Sequence, residues 1–177
     1  MNACLFAASL CGVLCGADAM ADMSMEDLRS KPASVVEAAL PSAHPAAYYI
    51  YASRLFGEGR QDEAVFWFYA GQLRYRFHLS ANPQLPRDGD PAVLASLNAT
   101  MGQTLNEYAG GDPPRWAAQI ERVLKWDADT PNGFTSKDRF RKEWQDIRAG
   151  LASMREAIVR DADRIREQRA RSGLPNR

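Results

Sequence analysis

The feature that most constrains this chain is the stretch from Tyr48 to Phe77, which holds ten of its seventeen aromatic residues. Within it, residues 61–79 place Ala64, Phe68, Gly71 and Tyr75 on one helical face and Val65, Phe66, Tyr69, Leu73 and Phe77 on the others. A helix that is apolar on every side has no face to give to water, so it must lie in the middle of a bundle. The aromatic side chains read as packed core rather than as a cofactor box, because each buries a large area when neighbours enclose it. A partner helix is expected just before it, from about Pro45 through Tyr48, Tyr51, Ala52 and Leu55 to the stop at Gly57-Glu58-Gly59.

The remaining elements also read as helices, since no segment sustains a period-two alternation of β-branched residues. Residues 25–28 and 34–40 form short pieces separated by Pro32. After a loop at residues 82–89, Asp90 as N-cap and Pro91 at the first position open a helix that stops at Gly110-Gly111. Asp112 and Pro113 repeat that signal, and the helix they open ends near Trp126, before a turn-rich loop over residues 127–133. A last helix is expected from about 136 to 171, roughly 50 Å long at 1.5 Å per residue. Its apolar residues Phe140, Trp144, Ile147, Leu151, Met154, Ile158 and Ile165 form a heptad seam interrupted at Asp161. The fold class expected is therefore all-α: an irregular bundle of five or six helices in one domain, residues 22–177, with a long C-terminal helix.

Residues 1–21 read as a cleavable signal peptide. Residues 5–17 are apolar but too short to span a bilayer comfortably, and Ala17-Asp18-Ala19 and Ala19-Met20-Ala21 both fit a small-x-small cleavage pattern. A periplasmic or secreted location is expected. Cys4, Cys11 and Cys15 all lie in this segment, so the mature chain has no thiol for disulfides, thiol catalysis or thiolate metal sites. No later stretch reaches about 18 apolar residues, so no integral membrane segment is expected after cleavage. The 22 basic and 22 acidic residues cancel, which gives no global attraction for nucleic acid. From Asp112 onward 15 basic residues face 11 acidic ones, interleaved as on a solvated helix face.

The run from Gly59 to Gly71, with Gly59, Ala64, Trp67, Phe68 and Gly71 at its key positions, resembles the second helix of a tetratricopeptide or Sel1-like repeat. Tyr48, Tyr51, Ala52 and Leu55 fall where the first helix of such a unit places large, large, small and large residues. The resemblance covers one unit of about 30 residues, and no second copy follows at a 34- or 36-residue period. It implies a tight helical hairpin (about residues 45–79) of a kind whose commonest use is binding proteins or peptides.

Few residues suggest chemistry. Asp127-Ala128-Asp129-Thr130-Pro131-Asn132-Gly133 lacks the ligand pattern of an EF-type calcium loop, having Pro131 at the fifth position and Asn132 at the sixth, so capping and turn formation explain it. His44 and His78 have no metal-site spacing; His44 reads as a residue before a helix and His78 as one at a helix end. Glu63, beside Trp67, is either a carboxylate with a raised pKa or a first-turn acid favoured by the helix dipole, and the latter is preferred. No cofactor or metal is expected. The expected function is an interaction module for a protein or peptide, including the case of an immunity-type inhibitor. The alternatives are a small exported hydrolase using carboxylate chemistry and a structural subunit forming a homodimer through its C-terminal helix. The interaction residues singled out are Tyr48, Tyr49, Trp67, Tyr69, Arg74, Arg76, Trp144, Leu151 and Ile158.

Overall fold

The structure, a computed structural model, describes residues 23–177; the expected leader and all three cysteines lie outside the described residues. The described residues form an all-α bundle without strands. Its elements are α1 (Met25–Ser30), α2 (Ala33–Ala39), a single 3-10 turn (Leu40–Ser42), α3 (Ala46–Gly57), α4 (Gln61–Ala81), α5 (Asp90–Gly110), α6 (Pro113–Asp129), α7 (Arg141–Arg160) and α8 (Ala162–Arg171). The count exceeds five or six because two short N-terminal helices are distinct and the last helix is divided.

The axis of the bundle is α4, as its all-round apolar pattern predicts. Residues 64–71 are buried without a break, and α3, α5, α6 and α7 pack around it. α3 and α4 form a hairpin closed by Gly59, whose φ of 78° lies in the left-handed region that favours glycine. The amide of Arg60 donates to Leu55 O at 2.9 Å and completes the stop of α3. Gly71 lets the two helices meet: a Cβ there would stand 2.7 Å from Tyr48 Cβ.

The core tyrosines also tie helices together through their hydroxyls. Tyr49 donates to Asn98 Oδ1, which also accepts from Gln72, and Tyr69 donates to Asn106 Oδ1 at 2.7 Å. Both asparagines belong to α5, whose buried stripe is thin, so α5 is held by polar ties as well as by Leu94 and Leu105. Tyr51 reaches the other way, to Glu37 of α2 at 2.8 Å. Buried hydroxyls must find partners or cost free energy, which makes Tyr49, Tyr51 and Tyr69 each specify a neighbour.

Three boundaries differ from the sequence expectation. α6 continues through Asp129 rather than ending near Trp126, so Asp127 is helical. The last helix starts at Arg141, because Lys137 turns inward and residues 137–140 form a turn instead. It does not run on to 171 unbroken: Asp161 separates α7 from α8, and its carboxylate is held by Arg160 and Arg164. An aspartate at a seam position gains more from solvation than from burial. Ile147, Leu151 and Met154 pack on the bundle as half-buried residues, Ile158 is buried, and Ile165 rejoins the core beyond the break. The seam is thus occupied within the chain by α4 and α6. The end does not project either, because Arg177 folds back to donate to Tyr108 O at 2.7 Å.

Two glycine substitutions test this packing. Gly71→Ala is expected to cost about 1–3 kcal/mol by overpacking the α3–α4 crossing. Gly150→Ala, where an added methyl meets nothing within 4 Å, is expected to gain about 0.5–1 kcal/mol from helix propensity. Urea unfolding of both variants should give opposite signs.

Candidate functional site

The residues expected to meet a partner divide sharply by burial. Tyr48, Tyr49, Tyr69 and Arg74 are fully enclosed, Trp67 nearly so, and Ile158 is 4% exposed. None of these six offers a surface in this fold: their size and density, read as interaction residues, are what fill the core. Trp144 is half-buried and points inward, Leu151 is half-buried at the edge of α7, and Arg76 is exposed.

Arg74 lies in the first of two polar clusters. It is 1% exposed, and its Nε donates to Asp127 Oδ1 at 3.0 Å; Asp127 itself has no exposure. The other guanidinium nitrogens donate to Pro131 O at 2.9 Å and Thr130 O at 3.1 Å, and the guanidinium lies over the Trp126 ring. Asp127 Oδ2 accepts from Trp144 Nε1 at 2.8 Å and Arg148 Nη1 at 2.9 Å. Lys137 Nζ donates to Thr130 O at 2.7 Å and to the Asp127 carbonyl. Three cations thus surround one carboxylate and are balanced by the carbonyls where α6 ends, the negative pole of that helix. Burial pulls Lys137 below its ordinary pKa against the attraction of Asp127. Arg74, Lys137, Trp144 and Arg148 each donate to acceptors inside the protein, so the cluster is a structural joint between α4, α6, α7 and the loop.

The second cluster centres on Asp90. Its Oδ1 accepts from Tyr75 at 2.9 Å and faces His44 Nε2 at 3.1 Å, while Oδ2 faces His78 Nε2 at 3.2 Å. Asp90 is therefore not the N-cap its position before Pro91 suggests; its carboxylate serves three side chains from outside α5, and Gly89 stands at the cap position. Burial raises its pKa, but Tyr75 and the two histidines outweigh that effect and hold it below the usual carboxylate value. His44 Nδ1 accepts from the Ala46 amide at 3.1 Å, which puts the ring proton on Nε2, toward Asp90. The same facing carboxylate puts the His78 proton on Nε2, leaving its Nδ1 to accept from Thr135 Oγ1 at 3.0 Å. Phe134 lies against both rings, with centroids 4.9 Å from each.

Thr135, His78 and Asp90 follow the hydroxyl–imidazole–carboxylate order of a nucleophile with its base. Thr135 is only 4% exposed, however, and the nearby Phe134 and Thr135 amides already donate to Asn132 Oδ1. They are not free to hold an oxyanion. Metal binding at His44 Nε2 would need a lone pair on that nitrogen, which instead carries the ring proton because Nδ1 accepts from the Ala46 amide. Among the described residues no group of three His, Cys, Asp or Glu is arranged to hold a metal ion. Glu63 is paired with Arg60 at 2.6 Å, and that hydrogen bond lowers its pKa, so the raised-pKa alternative does not apply.

The exposed Arg76 and the half-buried Leu151 converge elsewhere. Arg76 and Leu151 line a groove of about 190 Å³ between α4 and α7, with Ile147, Gly150 and Met154 supplying apolar wall and Gln72 polar floor. Asp146 at its edge is engaged by Lys142, whereas Arg76 has no ion-pair partner among the described residues. The sequence did not reveal the two clusters, because Asp127 lies 53 residues from Arg74 and 21 from Arg148. A signal for the second one existed: the short loop after α4 forces His78, near one helix end, beside Asp90 at the next helix start.

No protein-family model matches the chain, and no curated protein or solved structure was found to be similar to it.

Asp127→Asn is expected to lower stability by about 3–5 kcal/mol, since it leaves Arg74 buried without its counter-charge. Tyr48→Phe removes a buried hydroxyl that has no hydrogen-bond partner among the described residues. It is expected to leave stability unchanged or raise it. Chemical denaturation of the two variants checks both.

Proposed function

We propose that this chain is an exported interaction module that binds an aliphatic, acidic segment of a partner protein in the groove between α4 and α7. The observation that carries this reading is the groove itself, where two of the residues singled out from the sequence, Arg76 and Leu151, fall together. Ile147, Leu151 and Met154 give a partner's aliphatic side chains an apolar wall, and Gly150 leaves that wall open. The charge of Asp146 is met by Lys142, so the unmatched charge at the groove is the positive one of Arg76. That complementarity favours a partner carrying a carboxylate beside its aliphatic residues. The resemblance of the α3–α4 hairpin to a tetratricopeptide-like unit supports binding as the mode of action. The apolar run at residues 5–17 supports export, and an inhibitor of a toxin acting in the envelope fits this description.

Gly150→Arg fills the groove from an exposed helix position and is the direct test. Tagged protein beginning at Asp22 should recover a stoichiometric partner from envelope extract of the source cell. Gly150→Arg should lose that partner, while Lys125→Glu, on an exposed face of α6, should keep it. Recovery by all three alike would place binding outside the groove, and no recovery by the unaltered protein would end the binding reading.

A further inference from the structure

We infer that residues 132–136 are fastened by a latch of neutral histidine, and that uptake of one proton at His78 releases this segment while the helical core stays folded. The inference is independent of the groove between α4 and α7.

His78 is held end-on between two partners with opposite demands. On one side the Asp90 carboxylate accepts, so Nε2 carries the proton. On the other, Nδ1 accepts from the Thr135 hydroxyl at 3.0 Å and from the Asn82 side-chain amide at 3.3 Å. A second proton on Nδ1 would convert that acceptor into a donor. It would then face the Asn82 N–H, and the Thr135 hydroxyl would have to turn round to accept. Thr135 is buried, and no other side chain among the described residues accepts from its hydroxyl. Turning therefore strands a buried donor, which costs free energy. His44 Nδ1 is likewise occupied as an acceptor, from the Ala46 amide.

The groups that face His78 are Asp90 from α5, Tyr75 and Asn82 from α4, His44 from the chain before α3, and Thr135 and Phe134 from the segment itself. Burial opposes the charged ring most strongly and His44 adds to it; together they outweigh the attraction of Asp90 and hold the His78 pKa below its ordinary 6.5. Once the segment leaves, water reaches the ring and that burial is relieved. The closed state is therefore fully favoured above pH 6.5 and loses ground as pH falls from there through the lower pKa of the closed form.

Release stops at defined boundaries. Thr130 and Pro131 are gripped by Arg74, and Lys137 is tied to Thr130 O, through bonds that involve neither imidazole. Between them, the segment depends on the Thr135 bond, on Phe134 against the two imidazoles, and on the Gly133 amide, which donates to Pro41 O at 2.9 Å.

Amide hydrogen exchange on the full chain tests this, read at Gly133, Phe134 and Thr135 between about pH 7.5 and about pH 5 and corrected for intrinsic rates. The opening constant of these amides should rise by up to about tenfold per pH unit below 6.5, the slope of a single linked proton. The α4 amides, such as that of Leu73, should keep their protection. His78→Gln retains a donor for Asp90 without the titration and should remove the slope. Thr135→Val should open the segment at both pH values, and it serves as the second test should His78→Gln not fold. A flat profile in the unaltered protein, a slope that survives His78→Gln, loss of α4 protection in step with the segment, or a segment that stays closed in Thr135→Val would each overturn the inference.

Discussion

The pairing of Arg74 with Asp127 is the constraint on which the rest of the arrangement depends. Arg74 is buried on α4, the central helix of the described residues, so its charge can enter the core only if a counter-charge and several acceptors arrive with it. A side-chain carboxylate alone would leave most of its donors unsatisfied. The end of α6 supplies what is missing, because its last carbonyls have no helical partners and carry the negative pole of the helix. Where α6 ends, how the following loop turns and where α7 docks are consequently one problem with one solution. Trp144 and Arg148, both on α7, close the remaining lone pairs of Asp127.

Away from that joint, the bundle is specified by polar ties laid over a nonspecific apolar interior. Aromatic packing around α4 provides the bulk of the burial, but greasy surfaces of similar size can slide past one another. Hydroxyls of Tyr49, Tyr69 and Tyr75 each select a different residue of α5, while Tyr51 selects α2. A register shift of α5 would break three bonds at once, and this sharpens an interface whose hydrophobic stripe is thin.

The helical fold was readable in the sequence wherever local rules decide the outcome. The all-round apolar pattern of residues 61–79 placed α4 at the centre, and Asp112 caps α6 by accepting from the Arg115 amide at 3.1 Å. The gap at Asp161 in the heptad coincides with the division of the last helix, although the expected helix ran unbroken to 171. Local rules failed where distant side chains outbid them. Asp90 has the position of a cap, yet its carboxylate is drawn away by Tyr75 and His78 of α4 and by His44 before α3. Lys137 falls within the expected last helix but is drawn to the end of α6, and the helix starts later. The interaction residues show the same limit. Large aromatic and basic residues are common to cores and to binding surfaces, and composition cannot tell which side of a helix meets solvent when every side is apolar. Arg76 and Leu151 escaped this ambiguity because they lie at the edge of the α4–α7 packing rather than beneath it.

The placement of the four tryptophans has an optical consequence. Trp67 belongs to α4, Trp116 and Trp126 to α6 and Trp144 to α7, with Trp67 and Trp126 ring centroids 5.4 Å apart. Trp126 lies under the Arg74 guanidinium and Trp144 donates to Asp127, so two of the four chromophores report directly on the buried ion pair. Intrinsic fluorescence therefore registers the integrity of α4, α6 and α7 and has no emitter of this kind in α1, α2, α3, α5 or α8. Ellipticity in the far ultraviolet weighs all of the helices. Whether the two signals superimpose during denaturation is thus a direct readout of whether the peripheral helices melt together with the centre or before it.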